Sequence, residues 1–237
     1  MKLAVINFSG NVGKTTVAKQ LLAPRMPGAA EFAVETLNAG ASEAHAGVEQ
    51  LKGKDFGNLV DELLLLDQAI VDIGASNVEE FVQLMGQFDG SHEEFDFYLV
   101  PTVSEKKQQV DTINTIETLF ALGVASNKIR VIFNKVPLDD TNEIQLRFPL
   151  VCGYHAEHKR FRLNTHAAIV QNEIFERLRA LRKSVSEVVA DQTDYKAQLR
   201  TAKDEAAKLQ AVGMVAAQRL AKSANRNLDE VFKAVFR

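Results

Sequence analysis

The chain has 237 residues, of which 46% are hydrophobic and 25% are charged, so it can bury a sizeable core as one α/β domain with appended helices. Its single cysteine, Cys152, excludes a disulfide framework and a cysteine-rich metal site within one chain, as expected in a reducing cytoplasm. No apolar run approaches the ~20 residues of a membrane-spanning helix and no signal-peptide pattern opens the chain, which predicts a soluble cytoplasmic protein.

The charges are unevenly distributed, although the formal net charge is only −3. Residues 1–149 carry 12 Lys and Arg against 21 Asp and Glu, whereas residues 150–237 carry 16 against 10. A surface that meets a polyanion is therefore expected in the last third of the chain. The overall acidity argues against tight, constitutive DNA binding.

Short apolar runs rich in β-formers alternate with longer stretches of helical spacing. This rhythm is typical of a mostly parallel sheet with crossover helices on both sides. The predicted strands are Leu3–Phe8, Glu31–Thr36, Gln68–Ile73, Phe95–Pro101 and Ile129–Asn134, with Phe148–Cys152 as a further short strand. The predicted helices begin within Gly13–Thr16, cover Phe56–Leu66, and run from about Ser104 to Gly123.

The composition changes at about Thr165, after which Ala, Leu, Val and charged residues follow helical patterns without strand signals. The polar segments at residues 191–194 and 223–227 are predicted to break these helices and to cap the next one. We therefore expect an α/β core at residues 1–165. A helical C-terminal extension, residues 166–237, is expected to pack on that core.

The strongest chemical signal is a glycine-containing segment between the first predicted strand and the first predicted helix. Its glycines allow backbone N–H groups to surround phosphate oxygens at a helix N-terminus. Lys14 is expected to neutralise phosphate charge and Thr15 to hold Mg²⁺. The candidate nucleotide-binding residues here are Ser9, Gly10, Asn11, Val12, Gly13, Lys14, Thr15 and Thr16. A glycine turn that merely starts a helix does not require the sequence Gly-Lys-Thr.

A second candidate group follows the strand at residues 69–72, which ends in a carboxylate. Ligands of open α/β sheets bind at the carboxyl ends of the strands, so Asp72 is expected beside the phosphate loop. Asp72 and Thr15 are the predicted Mg²⁺ ligands, and Gly74 is predicted to offer its N–H to the γ-phosphate. The alternative is a strand-terminal Asp that only caps a loop.

Phe8 occupies the position, five before Gly13, where the usual phosphate-loop pattern has Gly or Ala. The pattern Lys-Gly-Gly-x-Gly-Lys-Thr aligns instead, and through it residues 1 to about 150 resemble the deviant-Walker ATPases of the ParA/MinD superfamily, in particular the StbB plasmid stability proteins. The resemblance implies a P-loop NTPase-like fold, ATP with Mg²⁺, an ATP-dependent homodimer and a DNA-binding adaptor protein. The family's signature lysine, which reaches the nucleotide of the partner subunit, falls at Ser9, so that charge is missing.

The second strand of this family ends in Asp-x-Asp, and its latter carboxylate orients the attacking water. In direct register Leu37 takes that position here, and only a one-residue shift brings Glu35 or Asn38 to it. The candidate catalytic residues are therefore Lys14, Asp72, Glu35 and Asn38. We expect slow hydrolysis, as suits a switch.

The strand at residues 129–134 ends in Asn134 and Lys135, the family's adenine-side position. A guanine-binding site would need an aspartate two residues after Lys135, where Pro137 stands. ATP is therefore favoured over GTP, with Asn134 as the base contact. The alternative is an asparagine that simply closes a strand.

Two other classes of function remain open. A dethiobiotin-synthetase-like ligase shares the sheet and the Val-Gly-Lys-Thr loop, but it should carry substrate-binding lysines near Glu35–Ala46, where mostly Ala, Gly and Glu occur. A MinD-like membrane ATPase would use an apolar face on the last helix, although such a face more often packs on its own domain. That face comprises Leu228, Val231, Phe232, Val235 and Phe236.

Basic residues concentrate between the predicted sheet and the last helices, at Arg177, Arg179, Arg182 and Lys183. Related partition ATPases grip the DNA backbone through C-terminal basic residues. Helical spacing predicts that Arg179, Arg182 and Lys183 share one face, which favours a weak, salt-sensitive DNA contact. The alternative is a solvated face on which these side chains pair with neighbouring glutamates.

Overall fold

The computed structural model describes residues 1–35, 48–51 and 55–237, the second range by its backbone alone. Leu37 and Asn38 therefore lie outside the described residues, as does the end of the strand predicted at Glu31–Thr36. Within the described residues the strands are β1 (Lys2–Val5), β2 (Ala30–Val34), β3 (Val48–Leu51), β4 (Ala69–Ile73), β5 (Phe97–Thr102), β6 (Ile129–Val136) and β7 (Ala168–Val170).

These strands form one sheet in the order β3-β2-β4-β1-β5-β6-β7, and every pair of neighbours is parallel. The chain builds one half of the sheet before it crosses β1 to build the other half. The strand order therefore reverses beside β1, the position where open α/β sheets bind their ligands. The predicted P-loop NTPase-like α/β fold is confirmed.

Helices cover both faces of the sheet. The first, α1 (Lys14–Thr16), continues as a π-helix over Val17–Leu22. The others are α2 (Phe56–Leu65), α3 (Val78–Gln87), α4 (Lys106–Ala121), α5 (Ile144–Arg147), α6 (Pro149–His158), α7 (Ile174–Leu181), α8 (Val185–Ala190), α9 (Tyr195–Thr201) and α10 (Glu205–Phe236).

The sheet separates two hydrophobic cores, because successive side chains of a strand point to opposite faces. Ala4 and Ile6 belong to the core beneath α2, α3, α4 and α6. Leu3 and Val5 belong to the other core, which also contains residues of the π-helix, α7, α8 and α10. All four side chains are fully buried, which explains why the strands read as apolar runs rather than as alternating patterns.

The long helix α10 covers the second core. Its 32 residues correspond to roughly 48 Å at about 1.5 Å per residue. Leu228, Val231 and Val235 are at most 2% exposed. At its C-terminus, Arg130 Nε donates to Val235 O at 3.1 Å and Asn164 Nδ2 to Ala234 O at 2.8 Å, so side chains of the core satisfy the last carbonyls.

The two predicted helix breaks have different outcomes. The first is confirmed, since α8 ends at Ala190 and Asp194 caps α9 by accepting from Ala197 N at 3.0 Å. The break predicted at residues 223–227 is wrong, because α10 runs through it. Asn227 bonds the backbone of β7 rather than that of its own helix, and so does not interrupt the helix.

Two predicted elements near the end of the core are also wrong. The predicted strand Phe148–Cys152 belongs mostly to α6, which begins at Pro149, a residue well suited to a first helical turn. The last strand is instead β7, where helix was expected. Because β7 pairs with β6, the sheet extends beyond the boundary predicted at residue 165.

Candidate nucleotide-binding site

The glycine-containing loop connects β1 to α1 at the carboxyl edge of the sheet. Gly13 has φ +92° and Asn11 has φ 60°, both in the left-handed region. Ser9 and Val12 are buried, whereas Gly10, Asn11 and Thr15 are exposed and Thr16 is half-buried. A Cβ on Gly13 would lie 2.0 Å from Asn134 Nδ2, so the loop requires glycine there for both its backbone angle and its close contact.

Lys14 lies with its side chain folded into this loop and is only 7% exposed. Its Nζ donates to Asn7 O at 2.9 Å and to Ser9 O at 2.8 Å. Burial lowers the pKa of Lys14 to about 8, and the nearby Asp72 carboxylate opposes that shift. The buried ammonium is therefore held by neutral carbonyl oxygens. Negatively charged phosphate oxygens at the same position would offset the cost of burying its charge much more strongly.

Thr15 and Asp72 lie together, as the sequence predicted. Thr15 Oγ1 donates to Asp72 Oδ2 at 2.7 Å, while Asp72 Oδ1 is buried without a hydrogen-bond partner among the described residues. Burial raises the pKa of Asp72, and the Thr15 hydroxyl and the Lys14 ammonium act against that increase. A hydroxyl and a carboxylate oxygen that lacks a partner fit the oxygen ligands that Mg²⁺ requires.

Gly74 lies two residues after Asp72, but its N–H does not point to an open phosphate position as predicted. Its N–H donates to Val34 O at 2.8 Å, so it is not free to bind a phosphate in this structure. Glu35 is exposed at the end of β2, and its Cγ lies 3.8 Å from the position that a Cβ on Gly74 would take. The charge of Glu35 also contributes to the raised pKa of Asp72, so the structure brings Glu35 to the site. Asn38 is outside the described residues.

Asn134 reaches the loop from the end of β6, with both ends of its amide engaged. Nδ2 donates to Val12 O at 2.8 Å, and Oδ1 accepts from Lys135 N at 2.9 Å. The residue is 5% exposed. In this structure the Asn134 side chain therefore holds the loop through Val12 O. The predicted contact with a base would require Asn134 to give up one of its two hydrogen bonds.

Sequence reasoning missed Asn7, whose side chain is fully buried directly before the loop. Its Oδ1 accepts from Ser9 N at 2.7 Å, and its backbone O accepts from Lys14. The available signal was a polar residue placed directly after an apolar strand, since a buried amide must find partners.

The parallel sheet, its strand order and the loop that leads into α1 define a P-loop NTPase-like α/β fold. No protein-family model matches the chain, and no curated protein matches it. Among solved structures, apo McdA from Cyanothece aligns with a TM-score of 0.53 and 14% identity, over 94% of this chain and 98% of that one. The MinD cell division protein of Aquifex aeolicus aligns with a TM-score of 0.54 and 11% identity, over 96% of each chain. The chain therefore shares the fold of McdA and MinD.

The two loop glycines provide a matched test of this geometry. We expect Gly13→Ala to lower the free energy of unfolding by about 1–3 kcal/mol, because alanine is strained at this φ and its Cβ collides with Asn134. Gly10 has nothing within 4 Å of its Cβ position, so Gly10→Ala should change stability by less than about 0.5 kcal/mol. Urea denaturation without nucleotide measures both, and equal midpoints would contradict the loop geometry.

Proposed function

We propose that this chain binds ATP with Mg²⁺ and hydrolyses it slowly, as a switch in plasmid stability, plasmid partition or DNA positioning. The observation that carries the proposal is the juxtaposition of Lys14, Thr15 and Asp72 at the strand-order reversal. Backbone N–H groups of the loop would bind phosphate oxygens, Lys14 would neutralise them, and Thr15 and Asp72 would hold Mg²⁺. By resemblance we further propose an ATP-dependent homodimer that acts with a DNA-binding adaptor.

ATP binding is tested most directly at Lys14. We expect Lys14→Ala to raise the Kd for Mg²⁺-ATP by at least about 100-fold, because a charge-assisted phosphate contact is lost. Lys208→Ala, on the exposed face of α10, removes an equal charge at a position far from the loop in the sequence and should leave the Kd unchanged. Isothermal titration with ATP and with GTP measures this effect and the expected preference for ATP. Equal affinity of wild type and Lys14→Ala would overturn the proposal.

We expect slow hydrolysis because two positions that the ParA/MinD pattern uses for chemistry carry other residues here, Ser9 and Leu37. Ser9 replaces the lysine that would stabilise the partner's phosphates, and it is 5% exposed, with its carbonyl bound to Lys14. We propose that Glu35 orients the attacking water, from a position less favourable than the family's own aspartate. The charge of Glu35 supports this proposal, since it contributes to the raised pKa of Asp72.

The turnover number of the purified protein should lie far below the enzyme median of ~10 per second. Glu35→Gln should lower the turnover number by at least about tenfold, because a carboxylate that acts on the attacking water increases the rate by ~10²–10⁴-fold. Glu230→Gln, on the exposed face of α10, is the matched control. Phosphate release under saturating Mg²⁺-ATP measures all three proteins. Fast turnover that Glu35→Gln leaves unaffected would show that the catalytic assignment is wrong.

The membrane alternative loses the surface on which it depended. The apolar face of α10 packs on the second core, with Leu228, Val231 and Val235 buried and the rings of Phe232 and Phe236 4.7 Å apart. No helix among the described residues is both long enough and apolar enough to span a membrane. The ligase alternative would draw its substrate site from Glu35–Ala46, most of which lies outside the described residues.

The DNA-binding face predicted at residues 177–183 is not assembled as expected. Helix α7 ends at Leu181, and Arg182 adopts the left-handed conformation that closes it, so the predicted common face does not form. Arg177 pairs with Glu173 at 3.2 Å and Lys183 with Asp191 at 3.2 Å. Two of the four cations are therefore already partly neutralised.

The outer face of α10 is a better candidate for a weak DNA contact. Arg219, Lys222 and Arg226 are exposed and follow the spacing i, i+3, i+7, which places them on one face. None of the three forms an ion pair with any residue in the described ranges. We propose that this triad contacts one phosphate backbone without reading bases.

The salt dependence of DNA binding tests the triad. Three neutralised phosphates predict a log–log slope of about −2.7 on duplex DNA, at about −0.9 per phosphate. Arg219→Ala/Lys222→Ala/Arg226→Ala should abolish this binding, whereas Arg179→Ala/Arg182→Ala should retain it. Titration of a nonspecific duplex with ATP-bound protein at several salt concentrations measures both. Binding that is independent of salt, or unchanged in the triple variant, would show that this triad is not the DNA-binding surface.

A further inference from the structure

A buried hydrogen-bond network fixes the residues that lead into the phosphate loop, here called the leading arm (Asn7–Ser9). The side chain of Asn7 is central to it and fully buried. Nδ2 donates to Pro101 O and to Thr112 Oγ1, each at 2.9 Å, while Oδ1 accepts from Ser9 N at 2.7 Å. One amide thus connects the leading arm to β5 and to α4.

Helix α4 supplies two hydroxyls to this network from its buried face. Thr112 is fully buried and Thr115 is 1% exposed. Thr112 Oγ1 accepts from Asn7, and Thr115 Oγ1 accepts from Phe8 N at 3.1 Å. Each hydroxyl also lies 2.7 Å from a carbonyl four residues earlier in its own helix, Gln108 O and Asp111 O. The two threonines thus offer their oxygens to the leading arm from successive turns of one helix.

The leading arm in turn carries the two carbonyls that hold Lys14. Lys14 Nζ donates to Asn7 O and to Ser9 O, and the amides of Ser9 and Phe8 are the groups that Asn7 and Thr115 fix. The network therefore sets both the backbone path into the glycine loop and the position of the ammonium. No apolar side chain in place of these threonines could accept the same hydrogen bonds.

We propose that Thr112 and Thr115 of α4, acting through Asn7 and Phe8, are positioning residues that preorganise the phosphate loop for nucleotide. This inference rests on the proposed binding of ATP. A leading arm already held in place does not need to be ordered when nucleotide binds, so more of the contact energy appears as affinity. The threonines act on the loop and do not themselves contact the nucleotide.

Valine substitutions test the role, because valine keeps the shape of threonine and removes its hydroxyl. We expect Thr112→Val and Thr115→Val each to raise the Kd for Mg²⁺-ATP by about tenfold through lost preorganisation. Thr118→Val is the matched control. Thr118 Oγ1 donates to Asn114 O at 2.8 Å, the same bond within the same helix, without contacting the leading arm. Its Kd should equal that of wild type.

Serine substitutions separate positioning from stability. Thr112→Ser and Thr115→Ser keep the hydroxyl but remove the methyl group, which leaves a small cavity. These variants should therefore have a lower urea midpoint and yet bind ATP within about twofold of wild type. Amide hydrogen exchange without nucleotide adds a second measurement, since Phe8 and Ser9 should exchange faster in the valine variants and not in the serine variants.

The outcomes distinguish this inference from the proposed function. Absence of ATP binding by wild type would overturn the proposed function itself. Binding by wild type that the valine variants share, or affinity that follows the urea midpoint across valine and serine variants alike, would overturn only the positioning role. Affinity that follows the hydroxyl, with Thr118→Val unchanged, would establish it.

Discussion

The parallel pairing of β1 with β4 is the constraint on which the site depends. In this register Val5 lies opposite Asp72, so the loop that follows β1 and the carboxylate that ends β4 open at the same edge of the sheet. The contact between Thr15 and Asp72 then joins residues 57 positions apart in the chain. A shift of one residue would turn the strand's side chains to the opposite faces and bury a different set in the cores.

The site lies at the carboxyl ends of β1 and β4, two central strands of a sheet that helices cover on both faces. The charges of the site are therefore partly removed from water. Burial disfavours the charged forms of both Lys14 and Asp72, while each charge stabilises the other. Among the described residues, Asp72 Oδ1 has no hydrogen-bond partner, and the Lys14 ammonium is held by two neutral carbonyls. The site is thus electrostatically incomplete, in a way that a polyphosphate with Mg²⁺ would complete.

Helix α10 is anchored by its inward face to the end of the π-helix that follows the loop. Arg25, which follows the π-helix, donates to Gln20 O and Leu21 O at its end and also pairs with Asp229 of α10 at 2.7 Å. Asn225 accepts from the same guanidinium. The inward face of α10 is committed to the core and to this ion pair, whereas Arg219, Lys222 and Arg226 lie exposed on its outer face.

The sequence by itself determined the elements with strong local signals. The order Gly13, Lys14, Thr15 after an apolar strand was sufficient to locate the loop between β1 and α1, and the strand that carries Asp72 was sufficient to place a carboxylate beside it. Apolar runs identified five strands because strands buried on both faces must be apolar. The short strands β3 and β7 were missed, since three or four residues carry too little pattern to be recognised.

Tertiary structure alone decided how polar residues are used. Asn227 has the local signature of a helix break, yet it bonds β7 and α10 continues past it. Asn134 supports the loop because Val12 O comes within 2.8 Å of its amide, and Thr112 reaches Asn7 only because α4 packs beside β5. The partners of these side chains lie between 57 and 122 residues away in the chain, so no local sequence pattern reveals them. The fold therefore assigns these roles by bringing the buried donors and acceptors together.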